Sequence, residues 1–117
     1  KKIIAKLSKL NPTRFDIALV SNKKILETGT SNILFIKKKK IYSPIKNCYL
    51  GNNIKYLAKH FKINFKDIFL DEINTFQEII LVGSGKGITS VNLIEKGIWK
   101  RKSLFIFKRL IKKYSKL

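Results

Sequence analysis

The stretch Glu78-Ile79-Ile80-Leu81-Val82-Gly83-Ser84-Gly85-Lys86-Gly87-Ile88-Thr89-Ser90-Val91 organises the chain. Residues 79–82 are apolar without a polar partner at alternate positions, the pattern of a strand buried on both faces. Gly83 to Gly87 supplies the small residues of a tight turn, and the chain then resumes as a strand over 88–94. The turn is neither a dinucleotide fingerprint nor a Walker loop, because Gly-Lys is not followed by Ser or Thr opening a helix.

Further strand signals precede this pair. Residues 17–20, 25–27, 33–36 and 41–42 are short apolar runs separated by polar turns: Ser21 to Lys24, then Thr28-Gly29-Thr30-Ser31-Asn32, then the four lysines 37–40. The lysine run lies where a hairpin turn falls, and a solvated turn accounts for it. Leu50-Gly51-Asn52-Asn53 leads into helical spacing at Ile54, Leu57, Ala58 and Phe61, with Asn as a favourable cap. A strand is expected over 63–70 and a short helix or loop over 71–76. Trp99 reads as a core anchor before a basic, amphipathic helix within 100–116, with Leu104, Phe105, Phe107, Leu110, Ile111 and Tyr114 on or near its apolar face. Ile3, Ile4, Leu7 and Leu10 have helical spacing up to Asn11-Pro12, so residues 1–10 are expected to end a helix. Many short strands with two or three helices make a mixed α/β domain, without an internal repeat or a dividing linker.

Composition bounds the function. The 117 residues carry 26 Lys plus Arg against 7 Asp plus Glu, a formal net charge of +19, but 44% hydrophobic residues are enough for a core. Lys is spread along the whole chain beside much Ile and Asn, while Arg is confined to Arg14, Arg101 and Arg109. Low genomic GC content produces that composition without selection for a polyanion, and nucleic-acid interfaces favour Arg. Cys48 cannot form an internal disulfide, and with His60 it cannot complete a zinc site, so no metal is expected and both read as packing residues. No apolar run reaches the roughly 18 residues of a membrane span, and a cytoplasmic location is the expectation. A chain that begins with Lys and contains no Met is expected to be part of a longer one.

Three features exceed plain packing: Glu27 opening a small-residue loop, Gly51-Asn52-Asn53 at a helix start, and the turn from Gly83 to Gly87. Their order carries more information than any one of them. ETGTSNILF, then IYSP, then CYLGNN, then EIILVGSGKGITSV resembles the C-terminal half of the class IV aminotransferase family, the fold-type IV pyridoxal-phosphate enzymes, over residues 15–110. Branched-chain and D-amino-acid aminotransferases and aminodeoxychorismate lyases belong to that family.

The resemblance implies a mixed sheet or pseudo-barrel with flanking helices, residues 1–117 forming the cofactor-binding C-terminal domain of a longer, homodimeric chain, and pyridoxal 5′-phosphate as cofactor. It makes Glu27 the partner of the pyridine nitrogen, where a carboxylate keeps the ring protonated as an electron sink. Gly51, Asn52 and Asn53 match a phosphate-binding turn, with Asn53 where Thr is common. Gly83 and Ser84 match the second phosphate contact, and the N–H groups of Ser84 and Gly85 the site of the substrate carboxylate. Asn32 is expected to hold the loop, and Lys86 has no assigned role. The Schiff-base lysine falls upstream of Lys1, with Lys1 or Lys2 serving only if the intervening loop is unusually short.

The implied reaction is amino transfer between an amino acid and a 2-oxo acid. Aminodeoxychorismate lyase activity is the alternative within the family, and a member without catalysis a third possibility. A basic module binding nucleic acid or a membrane surface is the alternative outside it; the favoured reading involves neither partner.

Overall fold

A computed structural model describes residues 2–9, 15–21, 23–28, 32–44, 52–83, 87–94 and 99–114. Its centre is the predicted pair of buried strands. Strand β8 (Glu78–Gly83) runs antiparallel to β9 (Gly87–Ile94) on one side and to β4 (Asn32–Lys37) on the other. Ile33, Phe35, Ile79 and Leu81 enter one core cluster, and Leu34, Ile36, Ile80 and Val82 enter another on the opposite face. Both faces are covered, which is why these strands show no polar alternation.

The first cluster gathers Ile25, Ile68, Ile73, Phe76, Val91, Ile94 and Trp99. The Phe35 and Phe76 rings are 5.2 Å apart, and the Trp99 indole donates to the Phe76 carbonyl at 2.9 Å, so the indole's polar edge is satisfied inside the core. The second cluster is closed by helices α1 (Asn52–His60), through Leu57, and α2 (Phe105–Tyr114), through Ile106 and Leu110.

Strand β1 (Lys2–Lys9) pairs with β2 (Phe15–Ser21) from Lys2 opposite Ser21 to Ser8 opposite Phe15, and with β9 through Leu7 opposite Ile94. Strand β3 (Lys24–Thr28) pairs with β2 and, where Glu27 faces Asn32, with β4. The order β4-β8-β9-β1-β2-β3 therefore returns to β4 and closes a barrel. The expected helix over 1–10 is corrected here. Leu-Ile-rich segments of this length satisfy either period, and the strand form wins because both of its edges find antiparallel partners that a helix would leave bare.

The expected strand over 63–70 is also corrected. It breaks at Lys66-Asp67 into β6 (Ile63–Phe65), parallel to β5 (Lys40–Ser43), and β7 (Ile68–Phe69), antiparallel to β3. The Lys66 amide donates to the Ser43 carbonyl at 2.9 Å while Asp67 meets Lys24 at 3.2 Å, which anchors the two halves to opposite ends of the strand order. A 3₁₀ helix over Leu70–Thr75 follows. Trp99 lies on a two-residue strand, β10 (Trp99–Lys100), and the last helix begins only at Phe105. On that helix Phe105 and Ile111 are exposed, whereas Ile106 and Leu110 form the buried face, a rotation of the expected apolar stripe. His60 is exposed at the end of α1 against the Tyr56 ring, not packed in a core, and Cys48 lies outside the described residues.

The lysine hairpin is as expected in place and unusual in geometry. Lys37 faces Lys40, and Lys38 and Lys39 both have left-handed backbones, φ 51° and 64°. Such a two-residue turn matches strand twist but favours Asn-Gly, and each lysine in it costs roughly 1 kcal/mol. The Lys38 amide donates to Gln77 Oε1 at 3.0 Å, and the Lys37 and Lys39 ammonium groups lie 5.3 and 4.9 Å from the Phe76 and Phe105 ring centres.

Candidate active site

The strand register brings distant sequence features onto one rim of the barrel. Glu27, near the end of β3, faces Asn32, the first residue of β4; Asn32 in turn faces Val82 of β8, and the next residue, Gly83, faces Gly87 of β9. At the usual strand spacing, Glu27 and Val82 are about 10 Å apart across β4. Glu27, Asn32, Gly83 and Gly87 therefore lie at the same end of the barrel.

Small residues are what this rim requires. Gly83 is buried and ends a strand whose neighbours are all large, so no Cβ fills the space beyond Val82. Asn32 is 6% exposed, a polar amide held at the edge of an apolar core. Asn32 also joins Glu27 to β8 through its strand pairing, a link that the sequence did not show.

Asn52 and Asn53 are the first two residues of α1. Their place in the helix is as expected, and the first-turn amides of a helix have no intrahelical acceptors. Helix α1 packs against β8 through Leu57, which shares a cluster with Ile80 and Val82, so the helix is tied to the strand that ends at Gly83. Gly51, Ser84 and Gly85, together with Lys1 and Lys86, lie outside the described residues. Among the described residues no group of three or more His, Cys, Asp or Glu gathers in a metal-binding cluster, and no helix is long and apolar enough to cross a membrane.

One buried carboxylate escaped the sequence reading. Glu78 is 1% exposed at the start of β8, and its two oxygens accept the amides of Ile106 at 2.8 Å and Phe107 at 2.9 Å. Ser103 Oγ donates to the same carboxylate at 3.4 Å and accepts the Phe105 amide at 3.0 Å. Glu78 thus caps α2 from another element. Ser103 just ahead of an apolar helix was a readable capping signal; the carboxylate partner was not, because it comes from a strand 25 residues away.

The family model for amino-transferase class IV matches residues 3–94. An uncharacterized protein of Haemophilus influenzae is 29% identical over 73 residues, which are 62% of this chain and 39% of that protein. Among solved structures, the branched-chain amino acid aminotransferase of Escherichia coli is 17% identical with a TM-score of 0.74, covering 82% of this chain and 35% of its own. The 4-amino-4-deoxychorismate lyase of Pseudomonas aeruginosa is 19% identical with a TM-score of 0.66 over 78% of this chain and 36% of its own. An aminotransferase of Brucella abortus, solved with the cofactor PLP bound, is 16% identical with a TM-score of 0.70 over 80% of this chain and 35% of its own. These likenesses establish a shared fold, and the chain spans well under half the length of the proteins it matches.

Proposed function

The chain belongs to the class IV aminotransferase family, and from that membership we propose that it is the cofactor-binding C-terminal domain of a pyridoxal 5′-phosphate enzyme that transfers an amino group between an amino acid and a 2-oxo acid. The observation that supports the reading is the register Glu27–Asn32–Val82, which puts the Glu27 position and the strand end at Gly83 on one rim. The donor set fits a phosphorylated pyridine: one carboxylate residue, the free amides of a helix start, and glycines where a backbone must approach a ligand closely.

When bound, the cofactor supplies an electron sink that lowers the barrier to removing a substrate α-proton. Glu27 would hold a proton on the pyridine nitrogen. The amides of Gly51, Asn52 and Asn53 would hold the phosphate from the helix start, assisted by Gly83 and Ser84 from the glycine turn. Ser84 and Gly85 would orient the substrate carboxylate through their N–H groups. The lysine that attaches the cofactor and moves the proton belongs, in this proposal, to sequence upstream of Lys1. A homodimer in the cytoplasm is part of the same proposal.

Lyase action on aminodeoxychorismate is the second reading, favoured by the likeness of fold to the Pseudomonas lyase. Pyruvate release from aminodeoxychorismate, against amino transfer from glutamate to an oxo acid, separates the two. The first test is the absorbance of the full-length protein after addition of pyridoxal phosphate. A visible band that borohydride abolishes, leaving the cofactor covalently attached, is the expected result. A band no stronger than free lysines give would overturn the proposal and favour the basic-module reading.

A further inference from the structure

At the end of β4 opposite the rim, the hairpin, the C-terminal end of α1 and the flank of α2 enclose an open groove of about 210 Å³. Its walls carry Lys39, Lys40, Lys62 and Arg109 together with the apolar Ile41 and Phe61, and no carboxylate of the described residues lines it. Asn32 and Lys37 bound β4, so the groove lies about 17 Å along the strand from the Glu27–Asn32 pair.

Several independent features make this more than a share of the general positive charge. The four cations come from three separate parts of the fold, the hairpin (Lys39, Lys40), the segment after α1 (Lys62) and α2 (Arg109), and converge on one groove. Lys39 occupies a left-handed position where glycine is favoured, so a charged side chain stands there against the preference of the backbone. Lys39 Nζ and Arg109 Cζ both stack on the Phe105 ring, at 4.9 and 5.9 Å, which restrains two long side chains beside the groove. Arg109 presents the planar fork suited to phosphate or carboxylate, and Arg is one of only three in this lysine-rich chain.

We propose that this groove binds a small compound carrying two or more phosphate or carboxylate groups, as a site separate from the cofactor rim. Cations contributed by three separate parts of the fold favour a ligand with more than one charged group, and Ile41, Phe61 and Ile106 in the same lining accept its linking atoms. The volume suits a metabolite and is too small for a folded partner. The inference does not rest on the cofactor proposal.

Calorimetric titration of the full-length protein, with and without added pyridoxal phosphate, uses inorganic pyrophosphate as the probe. Physiological ionic strength screens charges beyond about 8 Å and so suppresses diffuse attraction. Saturable binding is expected, weakened at least tenfold (about 1.4 kcal/mol) by Lys40→Gln with Arg109→Gln, and also by Lys62→Gln with Arg109→Gln. Lys55→Gln with Lys108→Gln removes equal charge from exposed positions outside the groove and should change the affinity less than twofold. Orthophosphate, which has a single charged group, should bind at least tenfold more weakly than pyrophosphate. Absence of saturable binding, equal loss in the control pair, or equal affinity for the two anions would each overturn the proposal.

Discussion

Glu27 of β3 and Asn32 of β4 stand opposite each other at the place where the barrel closes, although a loop of small residues separates them in sequence. Asn32 carries that contact on to Val82, so a strand-closing pair also aligns the two segments proposed to hold the cofactor.

Substitution of Glu27 therefore tests the rim directly. In the full-length protein, Glu27→Ala is expected to lower the proposed transaminase kcat by on the order of 10²–10³, with a smaller effect on KM, because the proposed electrostatic partner of the cofactor is lost. Glu27→Asp should recover part of the rate. Unchanged kcat in Glu27→Ala would remove Glu27 from the proposed site.

Phosphate binding makes a separate prediction at the start of α1. Asn53→Pro keeps a residue tolerated in a first helical turn but deletes its N–H group, so affinity for pyridoxal phosphate should fall roughly tenfold, about the worth of one charge-assisted hydrogen bond. Asn53→Thr should bind about as well as the parent. Spectrophotometric titration with the cofactor reads both.

The Glu78 cap is a stability device. Glu78→Ala leaves the Ile106 and Phe107 amides without their acceptor in a buried setting and is expected to cost about 2–3 kcal/mol. Urea unfolding followed by Trp99, the single Trp, measures it; a loss below about 0.5 kcal/mol would mean that α2 is held by Ile106 and Leu110 alone.

At the lysine hairpin the stability effect has the opposite sign. Lys38→Asn with Lys39→Gly supplies the residues preferred in a turn with two positive φ angles, and should stabilise the fold by roughly 1 kcal/mol in the same unfolding assay. The same substitution removes Lys39 from the groove, so it should weaken pyrophosphate binding while raising stability.

The core strands, the lysine hairpin and helix α1 were legible in the amino-acid sequence, because each depends on local pattern: apolar runs, turn residues and helical spacing. The order of Glu27, Gly51-Asn52-Asn53 and Gly83-Ser84 likewise sufficed to suggest the family. Residues 1–10 were not legible, because Ile3, Ile4, Leu7 and Leu10 satisfy a helical period, while the strand is selected by β2 and β9. Residues 63–70 look continuous in sequence, but Ser43 holds Lys66 and Lys24 holds Asp67, which pins the two halves to different strands.

Sequence alone thus determined that the central strand is buried on both faces and proposed the residues of the candidate site, since burial follows from apolar pattern and candidate chemistry from residue type. Only the tertiary structure decided that Glu27, Asn32 and Gly83 share one rim, that Glu78 caps a helix from a remote strand, and that four cations line one groove. Those outcomes depend on strand register and barrel closure, which are set by pairing between distant segments and leave no local signature along the chain.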